Sequence, residues 1–277
     1  MTARYLDEPF DVTDAKTISS YDETWLWSAR FGLMLLDRID LRPDMRVLDV
    51  GCGTGFPLFA LGAALGPSST VVGLDPWAGA LRRAALKRDA YGMAQAHLIR
   101  ADAARMPFAD ASFDLVTSNL GVNNFDDAQA AIRECARVLR PGGRIAITTN
   151  LQGHMQELYD TFRAVLEGRG DGPALRRLEA HLEHRTTPAR LRELCDLAGL
   201  NIEREDADTF VLRYVDATAL LWHWFIRVGF LPAWRAIAGT EERDVLAEVE
   251  DRLNDLARRH GELRLTIPTL FLEASRK

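Results

Sequence analysis

Apolar residues in this chain fall into short unbroken runs set between longer stretches in which they recur every three or four positions. The runs at 47–50 (VLDV), 70–74 (TVVGL), 97–100 (HLIR), 113–118 (FDLVTS) and 144–149 (RIAITT) read as buried strands. The stretches between them read as helices over 57–65, 78–91 and 126–139, the last stopped by Pro141-Gly142-Gly143. Strand and helix alternate, which is the order of an open parallel sheet, and the chain is α/β. Further on, Thr187-Pro188 opens a helix through Ala198 that stops at Gly199, a strand follows over 201–206, and a final strand covers 265–275. Pro268 conflicts with a central ladder position, so the paired part of that last strand is expected to begin after it or to bulge around it. Ahead of the first strand, 20–39 has helical spacing, with Ser20 or Asp22 as its cap.

Two segments stand outside this alternation, 153–186 and 209–261, and both read as helical. The second holds TALLWHWFIRVGFLPAW at 218–234, the densest aromatic stretch of the chain. From Glu241 on, Leu246, Val249, Leu253 and Leu256 recur with charges between them, the pattern of an amphipathic outer helix. With no internal repeat or low-complexity linker, one domain over 1–277 is expected. Its core is 40–150, 187–208 and 262–277, and insertions at 1–39, 151–186 and 209–261 build a helical cap.

Composition narrows the function classes. At 277 residues, with 47% apolar and 27% charged side chains, the chain has the balance of a soluble globular protein. A net charge of -6 without a basic stripe argues against a nucleic-acid partner. No run reaches the ~20 apolar residues of a membrane span. The opening MTARYLDEPFDVTDA lacks the apolar stretch of a secretion signal, so a cytoplasmic location is expected. Cys52, Cys135 and Cys195 are far apart without C-x-x-C spacing, which predicts neither a disulfide framework nor a metal site.

The candidate chemistry starts where the first strand meets glycine, in VLDVGCGTG at 47–55. Gly51, Gly53 and Gly55 allow positive φ and let a ligand reach bare backbone, and the following helix points its free N–H groups the same way. A dinucleotide fingerprint would need glycine where Phe56 stands, and a phosphate loop would need a lysine that is missing. Asp49 and the absence of Lys or Arg make the local field negative, which suits a cationic or zwitterionic ligand. S-adenosylmethionine, with its sulfonium and ammonium, fits that field. Asp75 ends the second strand, where a carboxylate can accept from both hydroxyls of a ribose.

From here the chain resembles the class I S-adenosylmethionine-dependent methyltransferases. VLDVGCGTG is similar to the first family motif, VVGLDP at 71–76 to the second strand with its ribose acid, and ADAARMPFAD at 101–110 to the adenine segment. FDLVTSN at 113–119 and VLRPGGRIAITT at 138–149 follow in the family's order. The resemblance implies a Rossmann-like, seven-stranded, mostly parallel sheet with helices on both faces and an antiparallel last strand. It implies cofactor contacts from Asp49, Gly51, Cys52, Gly53, Asp75, Pro76, Trp77, Asp102, Ala103 and Asn119. It also implies an N-terminal helix closing over the methionine end through Tyr21 or Trp25. Cys52 is read as a small residue tolerated in the loop. No N-P-P-[YF] motif of nucleic-acid amino methyltransferases is present.

The implied activity is methyl transfer to an oxygen or carbon of an apolar, aromatic small molecule, with S-adenosylhomocysteine as product. The alternatives are a protein or RNA methyltransferase and an inactive cofactor-binding module. Asn123, Trp222 and Phe225 are the candidate substrate contacts. An amine or ionised oxygen needs no base, whereas a phenol benefits from one, for which His154 and His223 are the candidates by location.

Overall fold

The five apolar runs become strands, numbered with the helices in chain order. After helices α1 (Ala15–Asp22) and α2 (Trp25–Leu36) come β1 (Arg46–Val50), α3 (Leu58–Leu65), β2 (Thr70–Asp75), α4 (Ala78–Ala90), β3 (Ala96–Arg100), β4 (Phe113–Asn119), α5 (Ala128–Val138) and β5 (Leu139–Asn150). The computed structural model describes residues 4–7, 11, 13–22 and 25–277, without the side chains of Arg4, Trp25 and Leu26. The remainder is α6 (Gln156–Arg169), α7 (Gly172–Glu183), α8 (Pro188–Leu197), β6 (Leu200–Tyr214), α9 (Ala217–Trp222), α10 (Trp224–Gly229), α11 (Leu231–Ala238), α12 (Glu242–His260) and β7 (Leu263–Arg276).

The sheet has the order β3-β2-β1-β4-β5-β7-β6. Every ladder from β3 to β5 is parallel, and β7 joins β5 antiparallel. Val47, Leu48, Asp49 and Val50 of β1 are all buried, as are Val116 through Asn119 of β4, so both faces of the central strands are covered. The β5–β7 register runs from Arg144 opposite Ser275 to Asn150 opposite Thr269, so pairing with β5 begins directly after Pro268, whereas the strand itself runs through Pro268 from Leu263.

Three readings are corrected. The helix expected over 20–39 is two helices, and Ser20 and Asp22 lie inside the first of them instead of capping a later one. Pro141-Gly142-Gly143 does not separate helix from strand. Pairing of Phe113 with Leu139 and of Leu115 with Arg144 leaves these three residues, with Arg140, as a bulge inside one long strand. The strand expected over 201–206 extends through Tyr214.

The chain forms two compact units. The sheet unit comprises Trp25–Asn150, Thr186–Asp208 and Thr269–Lys277; α2 belongs to it. The helical unit comprises the described residues of 1–24, Leu151–Arg185 and Thr209–Pro268. In the latter, α12 turns Val245, Leu246, Val249, Leu253 and Ala257 inward, which includes three of the four positions its spacing predicts, while Leu256 is only half-buried.

In the sheet unit, the glycine loop packs closely on β2. A Cβ added to Gly73 would lie 2.6 Å from Leu58 Cδ2 and 2.7 Å from Cys52 Sγ. Gly73→Ala is therefore expected to cost about 2 kcal/mol by overpacking, read from denaturant melts. Cys52→Ala should recover part of that loss in the double variant, because the sulfur is one of the two colliding groups. Strict additivity of the two substitutions would contradict this packing.

Candidate functional site

At the carboxyl end of β1 the chain turns through Gly51 and Gly53, with φ of 78° and 52°. These left-handed angles favour glycine. The Gly51 and Cys52 N–H groups donate to the Leu74 carbonyl at 2.8 and 3.2 Å, and Gly53 N–H donates to Asp75 Oδ2 at 2.9 Å. The loop is thus strapped to the tip of β2. A Cβ on Gly53 would meet nothing within 4 Å, so bare backbone faces open space there. Cys52 is different: its thiol points inward toward Gly73, and burial, then the charges of Asp49 and Asp75, push its pKa well up. Only its backbone is offered to a ligand.

Two carboxylates sit beside this loop. Asp75 is buried, and its Oδ1 accepts from Trp77 N–H at 2.8 Å while Oδ2 holds Gly53. Burial raises its pKa, against the pull of those two N–H groups, and each oxygen keeps a lone pair for a further donor. Asp49 is 1% exposed in the interior of β1. Its Oδ1 accepts from Thr117 Oγ1 at 2.8 Å, whereas Oδ2 is buried with no hydrogen-bond partner among the described residues. Burial pushes its pKa up to about 7; the Thr117 hydroxyl and the Leu58 N–H oppose this and the Asp75 charge adds to it. A buried, half-satisfied carboxylate next to a second acid is a cation-seeking arrangement. The donor set fits a ligand with a cationic end and a vicinal diol.

The other predicted residues of this unit follow along the strand tips. Asp102, just beyond β3, is exposed, and its Oδ1 accepts from Ala104 N–H at 2.9 Å, while Ala103 is buried. Pro76 is exposed with its carbonyl accepting from Arg100 Nε at 3.2 Å, and Trp77 is half-buried at the start of α4. Asn119 ends β4; its Oδ1 accepts from Thr148 Oγ1 at 2.9 Å and its amide donates to the Ser28 carbonyl at 3.3 Å. Neighbouring parallel strands β3, β2, β1 and β4 therefore present all of these residues at their carboxyl ends, the usual ligand crevice of such sheets. Sequence reasoning missed Thr117 and Thr148, which orient Asp49 and Asn119; polar residues at consecutive strand tips were the available signal.

Asn123 requires a correction. Its amide donates to Thr149 Oγ1 and to the Asn150 carbonyl, both at 2.8 Å, and its Oδ1 accepts from Thr186 N–H at 2.9 Å. Buried and engaged at both ends of its amide, it pins three segments together and presents no free group to a substrate.

The remaining candidates lie in the helical unit. Tyr21 is half-buried in the last turn of α1; the side chain of Trp25, by contrast, lies outside the described residues. Phe225 is buried with its ring edge-on to Phe230 at 5.6 Å, whereas Trp222 is 37% exposed beneath the Arg227 guanidinium. His223 caps α10, its Nδ1 accepting from Phe225 N–H at 3.3 Å, and it stacks on Trp224. His154 is 1% exposed, and burial, followed by the nearby Arg185 and His181, lowers its pKa to about 3. That value is far below the range of a general base at neutral pH.

Residues 48–147 match the family described as a methyltransferase domain. The chain is 40% identical over 114 residues to nocamycin O-methyltransferase of Saccharothrix syringae, covering 41% of each chain. It is 35% identical over 136 residues to demethylmenaquinone methyltransferase of Geobacillus kaustophilus, covering 48% of this chain and 58% of that one. The chain thus spans about half the length of the curated relatives it matches. Among solved structures, the YcgJ protein of Bacillus subtilis superposes with a TM-score of 0.60 at 19% identity, over 90% of this chain and 98% of that one, which shows a shared fold. Among the described residues, no helix is long and apolar enough to cross a membrane.

Proposed function

We propose, from the premise that the chain belongs to the class I S-adenosylmethionine-dependent methyltransferases, that it transfers a methyl group to an oxygen or carbon of an apolar, aromatic small molecule, leaving S-adenosylhomocysteine. The observation that carries this reading is the pair Asp49 and Asp75 beside an open glycine loop, a negative, water-poor seat for a cationic nucleoside. Two relatives named for small molecules, nocamycin and demethylmenaquinone, support the substrate class.

When bound, the cofactor supplies a methyl group on a positively charged sulfur, which leaves readily to a nucleophile in line with it. The chain's own part is to bind, align and exclude water. Asp75 would accept from the ribose hydroxyls with the lone pairs that Gly53 and Trp77 leave over. Asp49 Oδ2 would hold the cationic end, and the Gly51 and Gly53 backbone would hold the amino-acid tail. Pro76 and Trp77 would wall the adenine, while Asp102 would accept from its amino group and Ala103 N–H would donate to a ring nitrogen. Asn119, held by Thr148 and Ser28 at the tip of β4, would face the methionine end of the cofactor. With its depressed pKa, His154 is neutral near pH 7 and is a poor proton acceptor there.

Titration calorimetry with S-adenosylmethionine tests the assignment. Asp75→Ala is expected to weaken binding by about 1–3 kcal/mol, through lost ribose contacts and an untied Gly53. An unchanged affinity, or binding of NADH in place of adenosylmethionine, would contradict the reading.

A further inference from the structure

The helical unit holds an unusual polar cluster of its own. His154 is almost fully buried, and neither of its ring nitrogens makes a hydrogen bond of ordinary geometry among the described residues, the Leu151 backbone offering only a weak polar contact. Arg185 is half-buried, its Nε is shielded from solvent without a partner, and no carboxylate pairs with it among the described residues. Burial lowers the Arg185 pKa, and no acidic side chain offsets this; only the Tyr159 phenol works the other way.

Around them runs a completed relay. Trp234 Nε1 donates to Tyr159 Oη at 3.2 Å, and Tyr159 Oη lies 3.0 Å from His181 Nε2. The phenol oxygen accepts from Trp234 and shares one further hydrogen bond with His181 Nε2, whose direction is set by the His181 tautomer. The relay satisfies Tyr159, Trp234 and one edge of His181, but nothing in it reaches His154, which meets Tyr159 edge-on at 5.4 Å and Phe230 at 6.1 Å through its ring.

Proteins rarely bury a guanidinium without a counter-charge or an imidazole with both nitrogens idle, since each leaves desolvated donors unpaired. One ligand chemistry answers both. A carboxylate is planar and anionic, matches the guanidinium fork, and accepts from a neutral imidazole N–H. The rings of Tyr159, Phe230 and Trp234 beside the cluster suit a flat apolar body.

We infer that His154 and Arg185 form a binding site for the carboxylate of a small aromatic acid, with the Tyr159–His181 relay holding the site's shape. Taking that acid to be the methyl acceptor rests on the function proposed above; the site itself rests on the helical unit alone.

The test uses the full chain with benzoate as probe and benzamide as its neutral counterpart, followed through the imidazole NMR signals of histidine-labelled protein. Benzoate is expected to shift the His154 signal saturably and to bind at least tenfold more tightly than benzamide. Arg185→Gln should lose at least tenfold in benzoate affinity, Arg185→Lys should recover part of it, and neither should lower the melting temperature, because a desolvated, unpaired cation is being removed or kept. His154→Phe, which preserves ring volume, is the second variant and should weaken benzoate at least fivefold while leaving adenosylmethionine affinity unchanged. Equal binding of the two probes, no shift at His154, or an Arg185→Gln variant that melts earlier yet keeps its benzoate affinity overturns the site. A protein that binds benzoate but not adenosylmethionine sinks the proposed function alone; the reverse result sinks this inference alone.

Discussion

Asp49→Asn is expected to stabilise the ligand-free protein by about 2–4 kcal/mol at about pH 8, to leave it nearly unchanged at about pH 4, and to weaken adenosylmethionine binding by roughly 100-fold. The asymmetry follows from where the Asp49 proton resides. In the folded chain its pKa is pushed up to about 7, chiefly by burial, against an ordinary 3.8. Between those two values the folded protein holds a proton that the unfolded chain has released, so raising the pH through this window removes stability. The gap is worth on the order of 4 kcal/mol, all of it present at acid pH and all of it lost above about pH 7. An asparagine is neutral throughout, keeps an acceptor for the Thr117 hydroxyl, and so does not lose that stability on the alkaline side. Melts of both proteins at several pH values check the claim. A stability difference that is flat with pH would place the strain elsewhere.

The same carboxylate explains the opposite effect on binding. A cationic ligand draws Asp49 into its ionised form, so association below about pH 7 must expel a proton. Affinity should then fall by up to tenfold for each pH step below that point, and calorimetry in buffers of different ionisation heat should register close to one proton released. The Asp49→Asn substitution would remove both the attraction and the proton release. Stability given up at a binding acid is an ordinary trade in functional sites.

How much of this was legible in the sequence depends on the range over which the signal acts. The glycine loop, Asp75 and the strand runs are local: buried parallel strands read as apolar runs, and a turn that needs positive φ at Gly51 and Gly53 advertises itself by composition. The extension of β6 through Tyr214 was not legible, because EREDADT at 203–209 has poor strand propensity; it is drawn into the sheet by pairing at an edge, where charged residues are tolerated and deter further pairing. The bulge at Pro141-Gly142-Gly143 was equally hidden, since the same three residues also end helices, and only the β4 register decides between the two. The histidines of the helical unit were visible as residues, but the environment that depresses His154 is assembled from Tyr159, His181 and Arg185, up to thirty-one positions away along the chain. Spacing carries no trace of it.

Asn123 is where a local reading misled most, and its substitution gives the second large effect. Asn just ahead of a helix suggests a cap or a ligand-facing amide. Here both ends of the amide are used internally, by Thr149, Asn150 and Thr186. Asn123→Ala strands the buried Thr186 N–H and leaves the Asn150 carbonyl and the Thr149 hydroxyl short of a donor. At about 1–3 kcal/mol for each uncompensated buried group, softened by water entering the gap, the expected loss is about 2–4 kcal/mol. Asn123→Asp should be worse at neutral pH, because a carboxylate would face the Asn150 carbonyl and side-chain oxygen in place of the N–H groups that now donate to them. Denaturant melts measure the loss, and acidifying the Asp variant should recover part of it as the carboxyl takes up a proton that it can donate. At a temperature where both variants are still folded, adenosylmethionine affinity should match the parent within twofold, since the amide supports the strand ends without facing them. A full-strength fold with a selective loss of methyl-acceptor turnover would instead return Asn123 to the substrate's side.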